Sequence, residues 1–221
     1  MKKFLFITLT CMVLVQFVQA QENGNYGATA GSYNLEVNFR PANNFPIQMD
    51  HIKGRYFIDQ NLAFRLGFEF NVYTESDEMT IGQTTWESKD RTVSFGLSPG
   101  IEQHFPVNDK LSPYLGAELS FFTRSTLDKS ESSGGDLSKV KNANGINNFG
   151  LQLLAGFDFY IYRGLTLGVE LGYGFVRTTY KDTESTNING DTTNSSTVAN
   201  NQVDFSLRAR VNPALRLGWT F

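Results

Sequence analysis

Histidine, the most frequent acid–base catalyst, is rare in this chain. The sequence contains two histidines, and the first of them, His51, precedes a polar segment that carries Ser76 and Asp77. A base held beside a hydroxyl group is what acyl transfer requires. A catalytic triad is defined by geometry and not by residue type, and serine and aspartate are frequent in polar segments. We therefore predict that the chain is not an enzyme, with the group around His51 kept as an alternative.

Nothing else in the sequence indicates a cofactor, a metal ion or a nucleic acid. It has no phosphate loop, nucleotide fingerprint or metal-ligand cluster, and Cys11 is its single cysteine. The pI is about 5.4, and no basic cluster occurs beyond the amino terminus. Such a chain lacks the electrostatic footprint of nucleic-acid binding. We predict no cofactor, no metal and no nucleic-acid partner.

Charged residues recur instead inside segments whose polarity alternates with a period of two, which indicates strands with two different faces. The polar face collects both signs in nearly equal number. Its acidic members are Glu36, Glu69, Glu102, Glu118, Asp158, Glu170 and Asp204. Its basic members are Arg40, Lys53, Arg55, Arg65, Arg208, Arg210 and Arg216.

The segment from Gln202 to Phe221 shows the alternation most clearly, with an apolar face, an arginine-rich face and an aromatic end. A two-faced strand of this length suits a wall between lipid and a polar lumen. Similar segments recur along the chain and predict about eight strands. They are Ser32–Arg40, His51–Ile58, Leu62–Tyr73, Arg91–Phe105, Leu111–Arg124, Asn148–Tyr162, Leu165–Tyr180 and Gln202–Phe221.

The connections between these strands alternate in length. Short turns follow the second, fourth and sixth strands, whereas longer loops at 41–50, 74–90, 125–147 and 181–201 follow the first, third, fifth and seventh. This alternation is typical of outer-membrane barrels, which have short periplasmic turns and long external loops. The predicted fold is all-β, a transmembrane antiparallel up-and-down β-barrel over residues 32–221, whose last strand must close onto the first because lipid tolerates no unpaired edge.

The amino terminus has the features of an export signal. Lys2 and Lys3 precede an apolar run, and Val18-Gln19-Ala20 has the small-x-small pattern of a cleavage site. We predict a cleavable signal peptide at 1–20, a polar lead-in at 21–31, and residence in the outer membrane of a Gram-negative-type cell.

On strand number, loop alternation and its carboxy-terminal end, the chain resembles the small eight-stranded outer-membrane barrels of the OmpA/OmpX-like type. The resemblance implies partnership with outer-membrane lipid and with the barrel-insertion machinery. It also implies that the last strand, with its alternating apolar residues and its terminal aromatic residue, acts as the assembly signal. Those residues are Leu215, Leu217, Trp219 and Phe221.

Two functions from different classes remain open. An eight-stranded barrel is only wide enough for its own side chains, so the charges of nearly balanced sign predict a lumen filled by salt bridges. The leading hypothesis is a non-enzymatic, envelope-structural barrel whose external loops serve surface interaction or adhesion, with a surface ligand bound through those loops. The alternative is a small porin or transporter with a narrow or gated lumen. A barrel that modifies lipid A, with a site around His51, is the third hypothesis.

Overall fold

Alternating segments become β-strands in the computed structural model, which describes residues 27–39, 47–211 and 215–221. The described part has twelve strands. They are β1 (Tyr33–Phe39), β2 (Ile47–Asp59), β3 (Leu62–Ile81), β4 (Thr84–His104), β5 (Leu111–Ser132), β6 (Leu137–Lys141), β7 (Ile146–Tyr162), β8 (Leu165–Tyr180), β9 (Thr183–Asn189), β10 (Thr192–Val198), β11 (Val203–Val211) and β12 (Leu215–Thr220). The predicted signal peptide at 1–20 lies outside the described residues.

Eight positions form a closed antiparallel ring, in the order β1, β2, β3, β4, β5, β7, β8 and then β11 with β12. Both β11 and β12 pair with β8, so together they occupy the place of the predicted eighth strand. The all-β, eight-membered barrel expected from the sequence is confirmed.

The ring closes between its two ends, as predicted. Leu35 of β1 is the register partner of Trp219 of β12, and the pairing continues to Phe39 opposite Leu215. Beyond β12, the Phe221 N–H donates to the Tyr33 carbonyl at 2.7 Å, and the Tyr33 N–H donates to the Phe221 carbonyl at 3.2 Å. Closure pairs the backbone groups that an open sheet edge would expose to lipid.

The predicted long loops are the main difference between expectation and structure. The regions 74–90, 125–147 and 181–201 are largely strands, because β3, β4 and β5 continue beyond the barrel and β6, β9 and β10 pair alongside them. These extensions form a six-stranded sheet in the order β3, β4, β5, β6, β9, β10. We call it the hairpin sheet. The loop predicted at 41–50 is also shorter than expected, because β2 begins at Ile47.

The loop prediction was wrong because it relied on apolar alternation, whereas strand pairing beyond a membrane needs only backbone partners and suitable turns. Gly82 and Gly190 each begin a two-residue turn, with φ of 66° and 55°. Glycine adopts positive φ without steric cost, and such turns match the twist of a hairpin. The Gly190-Asp191 pair was a hairpin signal within a segment that otherwise resembles a polar loop.

The two faces of the ring follow the predicted alternation. Residues of one parity are buried inside, and apolar residues of the other parity lie exposed on the outer wall. Apolar residues of the outer wall include Leu35, Phe64, Leu66, Phe68, Phe70, Phe95, Leu115, Phe121, Phe149, Leu151, Leu153, Phe157, Leu171, Phe205 and Leu207. Within the described ranges, no helix is long and apolar enough to cross a membrane.

Candidate functional site: the barrel interior

Charged side chains fill the interior of the barrel. Four cations and five carboxylates of the predicted polar face meet there, a formal balance of −1 with histidine neutral. They are Lys53, Arg55, Arg65, Arg216, Glu36, Glu102, Glu118, Asp158 and Glu170. We call these nine residues the interior network. The Arg65 and Glu102 side chains are among the largest that are fully buried.

Arg55 of β2 lies at the centre of the interior network. Its Nη1 is 2.7 Å from Glu36 Oε1 and 2.6 Å from Asp158 Oδ2. Its Nε is 2.8 Å from Glu102 Oε2. These carboxylates come from β1, β7 and β4, so a single guanidinium ties three other strands to β2.

Arg65 of β3 binds a second group of carboxylates. Its Nη1 is 2.5 Å from Glu102 Oε1, and its Nη2 is 2.8 Å from Glu118 Oε2. Both Nη atoms also donate to Glu170, at 2.8 and 3.2 Å. Because Glu102 contacts Arg65 through one oxygen and Arg55 through the other, the two arginines share it.

Glu170 and Arg216 complete the interior network on the β8 and β12 side. The Lys53 ammonium donates to both Glu170 oxygens, at 3.1 and 3.2 Å. Arg216 Nη1 donates to Glu36 at 3.0 Å, and its Nη2 donates to Asp158 at 2.8 Å. Charge-assisted hydrogen bonds of this kind are about twice as strong as neutral ones.

Tyr114 of β5 lies among these charges. Its hydroxyl donates to Glu170 Oε2 at 2.5 Å. The guanidinium carbons of Arg55 and Arg216 lie 5.1 and 5.2 Å from the centre of its ring. Both distances are within the range of cation–π attraction, so the ring packs against two cations that would otherwise repel each other.

Glycines on the inner face leave space for these side chains. A Cβ added at Gly168 would lie 2.5 Å from Arg216 Nη2 and 2.7 Å from Asp158 Oδ1. A Cβ at Gly156 would lie 2.5 Å from the Tyr114 hydroxyl. The interior network and Tyr114 are therefore packed tightly against the wall.

The interior is closed at one end of the barrel. This end carries the short turns, and we call it the short-turn end. His104 is 2 % exposed there, with its Nδ1 3.0 Å from Ser112 Oγ and its Nε2 3.3 Å from Glu102 Oε2. Its ring packs beside Phe57 at 5.2 Å between centroids. Nearby, the Ala28 N–H of the lead-in donates to the Tyr160 hydroxyl at 3.4 Å.

Some residues predicted to line the lumen lie elsewhere. Glu69 is half-buried beyond the interior network, where His51 is its register partner on β2. Asp204 is exposed and accepts a hydrogen bond from the Tyr180 hydroxyl at 2.8 Å. It has the parity of the inner face but lies at the far end of β11, so placing it in the lumen was wrong.

For three further predicted residues, the side chain lies outside the described part of the chain. Arg40 lies outside the described residues. Arg208 and Arg210 belong to β11 by their backbone, opposite Gly174 and Gly172 of β8, while their side chains lie outside the described part.

The catalytic group kept as an alternative is not brought together. His51 lies opposite Glu69 on β3, and Ser76 and Asp77 lie seven and eight residues farther along that strand. At about 3.3 Å per residue, this places them more than about 20 Å from His51. Among the described residues, no group of three or more histidine, cysteine, aspartate and glutamate side chains could hold a metal ion.

Sequence reasoning missed the roles of Tyr114 and His104. Both residues have the parity of the inner face. That parity was the one feature of the sequence that indicated a position inside the barrel. Alternation places a side chain inside the ring but does not identify its partner across the lumen. The contacts of Tyr114 with Glu170 and the two arginines depend on the order of strands in the ring.

A comparison with protein families agrees with this architecture. The model of the outer membrane protein beta-barrel domain family matches residues 4–199. The crystal structure of the outer membrane protein OprG from Pseudomonas aeruginosa is similar at 11% sequence identity and a TM-score of 0.42, covering 89% of this chain and 99% of that one. No curated protein sequence matches significantly.

Proposed function

The chain belongs to the outer membrane protein beta-barrel domain family, and on that premise we propose that it is a non-enzymatic structural barrel that presents a surface for interaction outside the cell. It resides in the outer membrane. The interior would serve stability, and the hairpin sheet would serve recognition. The observation that carries this proposal is the interior network, in which arginines contact carboxylates on opposite sides of the ring.

The interior network supports a barrel without an open ion path. Arg55 joins β2 to β7, and Arg65 joins β3 to β8; in each case the two strands lie four positions apart in a ring of eight. These contacts cross the full width of the lumen. A passing ion would have to displace buried pairs, and breaking such a pair costs about 3–5 kcal/mol.

The hairpin sheet supports a role in surface interaction. Its last strand, β10, is exposed at every residue and pairs only with β9 in the described part of the chain. The sequence of β10 is TTNSSTV, which has no charge or proline to block strand addition. An exposed regular edge can accept an extended peptide through backbone hydrogen bonds. We propose that the hairpin sheet faces the exterior and that its β10 edge takes an extended segment of a protein partner.

Two measurements test the proposal. In planar bilayers, the purified barrel should give no stable, step-like conductance, and regular steps would contradict the sealed interior. For the surface role, residues 184–197 are removed and Thr183 is joined to Val198 through a two-glycine turn. Thr183 and Val198 are register partners, so the chain can close there without strain on the barrel.

Cells that express the shortened protein should attach less to a serum-coated surface than cells that express the full chain. Both proteins should still migrate faster in unheated than in heated detergent gels, because closed barrels resist detergent. Equal attachment by the two proteins would exclude the β9–β10 hairpin as the recognition element.

The alternative of a narrow or gated porin has one observation in its favour. Within the described residues, Arg55 Nη2, Arg65 Nε and Arg216 Nε are buried and have no hydrogen-bond acceptor. A buried donor without a partner is costly, so a hydrated or rearranged interior would satisfy these atoms better. In that case the conductance measurement gives steps, and their size should increase in an Arg55→Ala variant.

A further inference from the structure

The two edges of the hairpin sheet differ in charge. In the described part of the chain, β3 pairs with β4 alone beyond Glu69, and this edge carries the exposed acids Glu75, Asp77 and Glu78. The other edge, β10, has no charged residue along its length. Charged side chains are one means by which proteins prevent an edge strand from pairing with another chain. The β3 edge is therefore protected, whereas the β10 edge is open to a further strand.

The backbone of β10 is also regular. The strand pairs with β9 without a register shift, from Thr192 opposite Asn189 to Val198 opposite Thr183. All of its residues are exposed. A bulge or a proline would make an edge unsuitable for strand addition, and β10 contains neither.

The turn before β10 determines which backbone groups point away from β9. The turn has two residues and begins at Gly190, so the Thr192 N–H donates back to the Asn189 carbonyl. In an antiparallel pair, residues that exchange hydrogen bonds alternate with residues that do not. Counted from Thr192, every second residue bonds to β9, and the backbone groups of the residues between them point outward. These residues are Thr193, Ser195 and Thr197.

We propose that β10 pairs with the β10 strand of a second copy of this chain, antiparallel and around a two-fold axis at Ser195. In this register the Ser195 residues of the two copies exchange hydrogen bonds, and Thr193 of each copy does so with Thr197 of the other. No other antiparallel register pairs all the outward groups of the strand. The contact uses the same surface on both copies, so it closes as a dimer.

The sequence of β10 suits pairing with itself. A two-fold axis brings the residue at its centre opposite its own copy, so a charged edge would repel itself there. On β10, serine lies opposite serine and threonine opposite threonine, and such cross-strand pairs stabilise antiparallel sheets. Asp191, the acid that precedes the strand, would lie opposite Ala199. The β3 edge cannot pair in this way, because its acids would lie against the same acids of the second copy.

This inference goes beyond the proposed function. It uses the same edge as the proposed recognition of a protein partner, but it needs no other protein, so each can fail without the other. Loss of attachment to a serum-coated surface on removal of the β9–β10 hairpin tests the proposed function. Association of the purified barrel with itself tests this inference.

The test is sedimentation equilibrium of the full-length barrel in detergent, where the wild type should form dimers. Ser195→Glu places a carboxylate at the two-fold axis, opposite its own copy. The dimer should weaken about fivefold, the equivalent of about 1 kcal/mol. The matched control is Ser76→Glu, which changes an exposed serine of the same register row on the β3 edge. Lys89 lies opposite Ser76, so this carboxylate does not weaken the sheet, and the control should dimerise like the wild type.

A mixture of two variants tests the register. Ser195→Glu and Ser195→Lys should each dimerise poorly alone, whereas an equal mixture should dimerise at least as well as the wild type, because opposite charges then meet at the axis. Recovery in the mixture also shows that both variants are folded. A wild type that stays monomeric, a mixture without recovery, or equal weakening by Ser195→Glu and Ser76→Glu would overturn this inference. Assemblies larger than dimers would instead show that β10 pairs with the β3 edge of the next copy.

Discussion

Arg55 and Asp158 meet across the full width of the barrel, with Nη1 and Oδ2 2.6 Å apart. They come from β2 and β7, which lie four positions apart in the ring of eight. Through Glu36 and Glu102, the same guanidinium also holds β1 and β4. The polar interior is therefore the core of this barrel. The apolar side chains, which form the core of most proteins, face the lipid here.

We expect Arg55→Ala to destabilise the barrel by about 3–5 kcal/mol, because it leaves buried carboxylates without their cation. Reversible urea unfolding from lipid vesicles measures the change. The matched control is Arg163→Ala in the exposed β7–β8 turn, which should shift the free energy of unfolding by less than about 0.5 kcal/mol. An Arg55→Ala barrel as stable as the control would show that the interior network contributes no stability.

A pair of glycine substitutions tests how tightly the interior is packed. In Gly168→Ala, the new methyl group would lie 2.5 Å from Arg216 Nη2 and 2.9 Å from the Phe157 carbonyl oxygen. We expect a loss of about 1–3 kcal/mol, as for other overpacked sites. In Gly54→Ala, nothing lies within 4 Å of the new methyl group, so stability should not fall. Equal effects of the two substitutions would indicate that the interior is not tightly packed.

The hairpin sheet contains a pair of carboxylates whose titration can be followed. Asp90 and Asp128 are register partners on β4 and β5. Partial burial, and then the charge of Asp90, raise the pKa of Asp128. An acid with a raised pKa in the folded state favours folding when it is protonated. The local stability of these strands should therefore rise as the pH falls through the pKa of Asp128, and the ionised pair should weaken them at higher pH.

We expect Asp90→Asn to lower the pKa of Asp128, although not to its ordinary value, since the effect of burial remains. Carboxyl-carbon NMR measures the pKa directly. Asp109→Asn in the β4–β5 turn is the control and should leave the pKa of Asp128 unchanged. An unchanged pKa in Asp90→Asn as well would show that the two carboxylates do not interact.

The predicted assembly signal can be tested at Phe221. On the resemblance to small outer-membrane barrels, Phe221→Asp should slow insertion by the barrel-insertion machinery more than Phe105→Asp does. Phe105 is a suitable control because it is an exposed aromatic next to β4 at the same end of the barrel. The fraction of heat-modifiable protein after a short expression pulse measures insertion. Similar fractions for the two variants would remove the special role of the terminal residue.

Sequence alone determined the two faces of the barrel. Alternation with a period of two is a property of the extended backbone, so it placed Glu36, Arg55 and Glu102 inside and Leu35 and Phe64 outside without knowledge of the fold. Strand number and closure followed from the same pattern, because lipid excludes an open edge. The sequence also contained the turn glycines of the hairpin sheet, although its polar strands resembled loops.

Tertiary structure alone decided which charges meet. Arg55 reaches Asp158 because β2 and β7 lie opposite each other in the ring, and Arg65 reaches Glu170 for the same reason on β3 and β8. Parity cannot distinguish these residues from Asp204, which has the same parity but lies exposed at the far end of β11. Depth along a strand and order around the ring depend on the register of all the strands together. That register is a property of the closed barrel as a whole, which no single segment of the sequence contains.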